Sequence, residues 1–493
     1  MTDLAQQSQP RTPAIASWVF LRLLGIVYAV AFISIGKQIL GLVGSHGILP
    51  AASLLETAHR QFGPERYWLL PTLSWWSVSD RSLQWLCGAG AWASVLLMLD
   101  VAPAVMAAAA WVLYLSLVTI CREFFLFQWD SLLLEAGFLA IFLSPLRVAP
   151  QPGRDPSPSR SVTWLLRWLL LRLMVSSGAV KWLSGDATWR YLTALQYHYE
   201  TQPLPTWIGW YAHQLPGWWQ ALSAYFMFLI ELGVPFLMCW PGRPRRIACG
   251  VLVLFQVLIL ATGNYGFFNL LTIALCVLLL DDCNWPAWWQ AWWSRRSTQA
   301  HPSWRWPGWL LGPVTALVLA LSAVPMAGLL GVRGRTLGPL GRLYAWAEPW
   351  RVVNSYGLFA VMTTARHEIV VEGSRDGRTW LAYSFKDKPG ELTRAPRFIA
   401  PHQPRLDWQM WFAALGSYQD NQWFIAFCER VLRGTPEVLS LLSQNPFPDA
   451  PPRYLRATVY DYHFTDVATH RRTGAWWRRE ERGLYCPILS LSE

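Results

Sequence analysis

The stretch Ala14-Ile15-Ala16-Ser17-Trp18-Val19-Phe20-Leu21-Arg22-Leu23-Leu24-Gly25-Ile26-Val27-Tyr28-Ala29-Val30-Ala31-Phe32-Ile33-Ser34-Ile35-Gly36 holds a single charge, Arg22. A helix needs roughly 20 such residues to cross a hydrocarbon layer ~30 Å thick, so the run predicts a membrane span. The polar Met1–Pro13 ahead of it shows no cleavable pattern, and the apolar run is too long for a signal-peptide core. The span is therefore expected to stay as an anchor behind a short cytoplasmic tail.

Eight further apolar runs follow, at about 83–99, 101–121, 130–146, 162–183, 220–240, 245–263, 265–282 and 307–332, giving about nine spans over residues 14–332. Very short loops separate the second to fourth and the seventh to eighth, which predicts helical hairpins. Charged residues make up only 14% of the chain, well below the roughly 25% of soluble proteins. Tryptophan is abundant at 33 residues and gathers at run ends, as in Trp75-Trp76, Trp218-Trp219 and Trp288-Trp289, where an amphipathic ring suits the headgroup layer. A net charge of +11 would fit a nucleic-acid partner only if the Arg residues formed a stripe, and they scatter over connecting loops instead.

The loops sort by charge. With the N-terminus cytoplasmic, inside loops carry Arg11, Arg147, Arg154, Arg160, Arg243, Arg245, Arg246, Arg295, Arg296 and Arg305. Outside loops carry fewer cations (Lys37, Arg60, Arg66, Arg81, Arg122, Arg190), some offset by Glu56, Glu65 and Asp186. The positive-inside bias with nine spans puts residues 333–493 on the far side, in a periplasm or lumen. There, alternation over 366–372, 379–385 and 454–464, a Gly-rich turn at Gly373–Gly377 and helical patterns at about 406–418 and 421–433 predict an α+β domain with an antiparallel sheet or sandwich.

Eight cysteines show no CxxC spacing. Cys87, Cys121, Cys239, Cys249 and Cys276 read as small hydrophobes, and Cys428 with Cys486 allow at most one disulfide, left open by the sequence. No metal site is expected. Walker A, G-x-G-x-x-G, G-x-S-x-G and H-E-x-x-H patterns do not occur.

Ionisable groups inside a span are functional candidates by default. Here they are Arg22, Glu135, Arg167, Arg172, Lys181 and Glu231, with Asp130 at a span end. The competing reading makes them structural pairs, Arg22 with Glu135 or Arg172 with Glu231. A second concentration, Lys181 and Asp186 followed by His198, Glu200 and His213, lies where a helix leaves the bilayer. It reads as a cavity mouth with Lys181 as a desolvated base, or as a polar cap. His402 and Asp407 have an H-x4-D spacing, for which a structural role is the expectation.

The segments Phe127-Gln128-Trp129-Asp130-Ser131-Leu132-Leu133-Leu134-Glu135-Ala136-Gly137-Phe138, Leu195–Pro205 and above all Ala400-Pro401-His402-Gln403-Pro404-Arg405-Leu406-Asp407-Trp408-Gln409-Met410-Trp411 resemble the lipase maturation factor family. The resemblance implies a multispanning membrane protein that assists folding and assembly of secreted lipases or other exported proteins, its C-terminal domain contacting the client and no cofactor needed. Separately, Ser177–Asp186 is similar to a region of vitamin K-dependent gamma-carboxylase in which a lysine is the catalytic base. That alternative makes the bundle an enzyme for a quinone or lipid, with Lys181 as base and Glu135, Glu231 or His198 as partners. For the folding factor, Trp408, Trp411, Phe412, Tyr418, Trp423, Phe424, Trp476 and Trp477 are candidate client contacts, against a core reading for each; Trp408, Trp411 and Phe412 recur at helical spacing. A transporter is disfavoured because no inverted repeat is visible. The absence of any N-x-S/T sequon in the long outside domain favours a bacterial inner membrane over the endoplasmic reticulum.

Overall fold

The computed structural model describes residues 14–155, 157–297, 305–332 and 334–491. The expected tail Met1–Pro13, with Arg11, lies outside the described residues.

Each of the nine apolar runs is helical: α1 (Ala14–Gly36), α2 (Asp80–Met98), α3 (Pro103–Cys121), α4 (Gln128–Leu143), α5 (Arg160–Leu183), α6 (Gly217–Leu232), α7 (Arg243–Thr262), α8 (Phe268–Val277) and α9 (Gly308–Leu329). Five stretches are long and apolar enough to cross a membrane: Ala14–Gly36, Pro103–Phe125, Gly217–Cys239, Arg243–Thr262 and Gly308–Leu329. The others fall short for visible reasons. α2 opens on the polar Asp80-Arg81-Ser82 and holds Gln84, α5 carries Arg160, Arg167, Arg172 and Lys181, α4 has 16 residues, and the run 265–282 is helical only over Phe268–Val277. In that last case Asn264, Tyr265 and the positive φ of Gly266 form a turn first.

α1 is the central helix. Phe20, Leu24, Tyr28, Ala31, Phe32 and Ile35 are buried along its length, and it packs against α2, α3, α4 and α8. Small residues permit that approach, as is general for helices without a hydrophobic driving force between them. A Cβ at Gly25 would lie 2.9 Å from the Ser94 carbonyl oxygen on α2, and one at Gly90 would run into the Phe32 ring.

After α9 the chain does not leave the bundle at once. Residues of Pro339–Tyr356 fold back on it, where Trp346 stacks on Trp68 at 4.2 Å and Trp350 on Trp111. The C-terminal part is then a four-stranded antiparallel sheet in the order β2-β1-β5-β6, formed by β1 (Arg366–Ser374), β2 (Leu381–Ala382), β5 (Tyr454–Phe464) and β6 (Trp477–Leu489). A two-stranded ladder joins β3 (Ser384–Phe385) to β4 (Leu442–Gln444). The predicted hairpin is present, with Glu372 opposite Ala382, and the predicted 379–385 strand is split into β2 and β3. The helices appear as α10 (Arg405–Ala414) and α11 (Gln422–Leu432). β6 is an edge strand that the sequence reading missed.

One apolar core runs through both parts. Phe20 and Leu133 of the bundle belong to the same buried cluster as Ile369, Trp408, Phe424 and Leu455 of the C-terminal part. All eight cysteines are free thiols, so Cys428 and Cys486, both buried, form no disulfide.

Candidate functional site

The polar residues singled out in the sequence gather in two layers: within the bundle, and along the seam where the C-terminal domain sits on one bundle end.

At the seam, the Arg405 guanidinium reaches from the start of α10 to Asp130 on α4, its two Nη atoms 2.6 and 2.8 Å from the two carboxylate oxygens. Tyr114 donates to the same carboxylate at 2.5 Å, Arg405 also donates to the Phe124 carbonyl at 3.0 Å, and its plane lies 3.8 Å from the Phe125 ring centre. Both residues are fully buried. The Pro404-Arg405 junction is fixed too: the Arg405 amide donates to Gln38 Oε1, the Gln403 amide to Ser34 Oγ, and Gln38 Nε2 to the Gln403 carbonyl.

Deeper in the bundle, Glu135 accepts from Arg172, from the Asn354 amide at 2.8 Å and from the Tyr356 hydroxyl at 2.7 Å. This explains why the chain after α9 returns. The pairs expected from the sequence therefore need correction. Arg22 pairs with Asp100, not Glu135, and Arg147 shares that carboxylate at 2.7 Å. Arg172 pairs with Glu135, not Glu231, whereas Glu231 holds Lys181 with both oxygens at 2.8 Å. Arg167 donates to the Leu278 carbonyl.

Lys181 also donates to the Ser177 carbonyl at 3.1 Å. Its ammonium has three N–H donors and three acceptors, an arrangement for a held cation rather than for a base, which needs a free lone pair. Asp186 caps the turn Ala187–Arg190 through the Thr188 and Trp189 amides and accepts from the Met362 amide. Burial works against its charge, and those hydrogen bonds nonetheless hold the carboxyl below its ordinary range. His198 bonds the Tyr265 hydroxyl at 3.1 Å. Burial, and after it the charge of Lys181, pushes its imidazole down to about 4, so it is neutral at pH 7.

Glu200 closes the seam on the other side. It accepts from the Phe464 amide at 2.6 Å, faces His463 at 3.1 Å and lies 3.9 Å from His213. Burial lowers the His213 imidazole despite the nearby carboxylate. Asp186, Glu200 and His213 thus engage neighbouring segments and the C-terminal domain.

His402 and Asp407 do not form a dyad. His402 Nδ1 pairs with Ser34 Oγ at 2.9 Å, and Asp407 accepts the Asp387 and Lys388 amides at 2.7 and 2.8 Å. The i, i+5 offset across the start of a helix turns the two side chains to different neighbours. The aromatic candidates divide likewise. Trp408, Trp411, Trp423, Phe424 and Trp477 are buried and belong to the core, Tyr418 and Trp476 are half-buried, and Phe412 alone is exposed. Trp411 is held by the Thr201 carbonyl at 2.8 Å, back at the membrane-exit segment.

Three residues at the seam were not singled out. Arg366 is buried and donates to the Glu200 and Pro203 carbonyls at 2.8 Å, to the Gln202 carbonyl, and to Glu368 at 2.6 Å. Lys388 completes that group with a 2.8 Å bond to Glu368. Asn264 joins three segments, donating to the Leu204 and Arg397 carbonyls and accepting the Ile399 and Ala400 amides. An Asn isolated between two apolar runs, and the crowding of Arg and Glu in a strand otherwise rich in Ile and Val, were the available signals.

This geometry defines a class: a helical multi-pass membrane protein whose C-terminal antiparallel-sheet domain is fastened to one end of its bundle by buried ion pairs, with no group of three or more potential metal ligands among the described residues. The family description "Lipase maturation factor transmembrane domain" matches residues 15–287, and "Lipase maturation factor C-terminal domain" matches residues 352–487. Lipase maturation factor 2 of Gallus gallus is 36% identical, the match covering 96% of this chain and 81% of that protein. Lipase maturation factor 2 of Homo sapiens is also 36% identical, over 96% and 82%. Lipase maturation factor 1 of Bos taurus is 35% identical, over 96% and 88%. No solved structure matches the chain. The chain belongs to the lipase maturation factor family, and the carboxylase-like alternative gains no support from the comparisons.

Two outcomes follow for the seam. Arg405→Ala leaves Asp130 buried and unpaired, which costs about 3–5 kcal/mol; thermal melting in detergent should fall sharply, and limited proteolysis should release the C-terminal domain before the bundle is cut. If Arg405→Ala melts with the wild type, the pair does not hold the seam. Asp407 gives a pH signature. Burial, and next the charge of Asp387, pushes its carboxyl up to about 6, so its contribution is fully present below its ordinary range near 4 and is lost as pH rises through about 6. Asp407→Asn, which keeps an acceptor for the two amides, should melt closer to the wild type at pH 4 than at pH 7, and a constant difference across that window would refute the assignment.

Proposed function

We propose that this protein is a non-enzymatic folding or assembly factor for secreted lipases or related exported proteins. The bundle acts as anchor and orienting frame, and the C-terminal domain acts as the client-facing surface. The observation that carries this reading is the seam: buried pairs from Arg405 to Asp130 and from Arg366 to the 200–203 segment give the domain one fixed pose on the membrane part. The names of the relatives supply the client class.

In the same proposal all nine helices cross the bilayer, the N-terminus is cytoplasmic and the C-terminal domain lies on the far side, in a lumen or periplasm. The grouping of helix ends supports it. The start of α1 meets the segment after α8 (Ile15 amide to Asp282, 3.0 Å), and Arg22 meets Asp100 just after α2. Arg147 after α4 meets the same Asp100, and Arg245 near the start of α7 meets Asp281 after α8. The end of α1, the start of α4 and the segment after α7 all meet the C-terminal domain instead, through Ser34, Asp130 and Asn264. Alternating crossings produce this pattern. The open edge of β6, with Leu484 and Ile488 exposed beside it, is the client contact proposed here in place of the buried tryptophans.

The topology is testable with native groups. Cys239 and Cys283 are exposed while the other six thiols are buried, and the proposal puts both on the cytoplasmic side. A membrane-impermeant maleimide added to sealed cells should miss them and should label Gln419→Cys in the C-terminal domain; the reverse pattern sinks the orientation. For function, co-expression with a secreted lipase should raise lipase activity per unit of secreted antigen. The doubly substituted Leu484→Asp, Ile488→Asp protein should lose that gain while melting normally, and the paired Lys181→Gln, Glu231→Gln protein, if it folds, should keep it. Loss of the gain in a folded Lys181→Gln, Glu231→Gln protein would revive chemistry at Lys181.

A further inference from the structure

A cavity of about 1300 Å³ opens at the bundle end opposite the C-terminal domain, larger than the ~300–1,000 Å³ of pockets for drug-sized ligands. Its floor is ionic, formed by Arg22 with Asp100 and Arg245 with Asp281. Its walls combine an apolar and aromatic side, with Leu21, Phe142, Trp306 and Leu311, and a polar side, with Ser144, Ser159 and Gln290.

The acceptors on the floor are already used. Asp100 serves Arg22 and Arg147, Asp155 serves Arg147, Asp281 serves Arg245, and Asp282 takes the Ile15 amide. The donors are not all used. Arg22 and Arg245 are 8% and 9% exposed, and the Nε–H of each has no hydrogen-bond partner among the described residues. A buried guanidinium N–H left without an acceptor is costly, and the chemistry that completes a guanidinium is an oxyanion such as phosphate. The Leu21, Phe142 and Leu311 side chains next to that floor offer acyl chains an apolar contact.

We propose that this cavity binds the phosphate-bearing headgroup of a membrane glycerophospholipid, with the phosphate at Arg245 and Arg22 and the acyl chains along Leu21, Phe142 and Leu311. The site is independent of any client and stands or falls separately from the folding-factor reading. A soluble phosphate compound would use the same guanidinium groups and leave the apolar wall bare, so the two sources are separable.

The full chain, stripped of lipid by exhaustive exchange into a maltoside detergent, is titrated with dioleoylphosphatidylglycerol, dioleoylphosphatidylethanolamine, dioleoylglycerol and inorganic phosphate, and adducts are read by native mass spectrometry. A one-to-one adduct with at least one phospholipid, and none with dioleoylglycerol or phosphate alone, is expected. Arg245→Lys keeps a cation opposite Asp281 and removes the Nε–H, and should weaken the adduct about tenfold, the loss of one hydrogen bond to a charged group. Arg305→Glu changes an exposed rim residue, leaves folding intact and should weaken it several-fold through repulsion. Equal binding of dioleoylglycerol overturns the phosphate assignment. A phosphate adduct that phospholipid does not displace overturns the lipid assignment. Wild-type binding by both variants overturns the site.

Discussion

Arg405 and Asp130 stand 275 residues apart in sequence and meet with no exposure to solvent. Desolvating two such ions costs several kcal/mol each, and only good geometry recovers it. Here two parallel guanidinium bonds, the Tyr114 hydroxyl, the Phe124 carbonyl and the Phe125 ring all act on the same two groups. An apolar plug of similar volume would hold the domain to the bundle as well, but it would tolerate slippage. The ion pair penalises every other register, because a displaced Arg405 leaves two unpaired buried charges. The consequence is one pose of the C-terminal domain on the membrane part.

Polar side chains that bond backbone groups spread that constraint along the seam. Arg366 gathers the carbonyls of the 200–203 turn, and Asn264 ties Leu204 to the extended segment at Arg397–Ala400. The helix Leu195–Thr201 ends in the first segment and the second has no helix or strand, so the buried amides and carbonyls of both need such partners. The Gln38 and Ser34 side chains do the same for Gln403 and Arg405 at the end of α1. The bundle end and the domain thus act as each other's caps, and the shared apolar core follows from that.

Much of this was legible beforehand, and the remainder was hidden for physical reasons. Apolar runs of sufficient length announce helices without tertiary information, and all nine are present. Alternation found β1 and β5, but β6 begins Trp477-Arg478-Arg479-Glu480-Glu481-Arg482, a charged run that hides a strand because an edge strand is free to face water on both sides. The charges within the apolar runs were visible as residues, yet their partners were not: Asp100 sits at the rim of an apolar run, and Glu135 is completed by Asn354 and Tyr356 from a segment that reads as a loop. The aromatic residues of α10 were legible as a helix face, and burial decided their role.

The partnering of these charges bears on what the bundle does. Arg22, Asp130, Glu135, Arg172, Lys181 and Glu231 each face a group of opposite charge within the fold. Each of these charges is held by hydrogen bonds to its partner, so none can turn away without leaving a buried ion unpaired. The pairs therefore fix the orientation of the helices that carry them. A frame that holds a sheet domain rigidly at the membrane surface gives an edge strand a fixed height and direction. The charges of β6 from Arg478 to Arg482 guard one half of that edge against indiscriminate pairing, while Leu484 and Ile488 leave the other half apolar. In the proposed client-facing role, an edge so divided favours a partner that brings an apolar strand in one register, and the seam behind it holds that register in place.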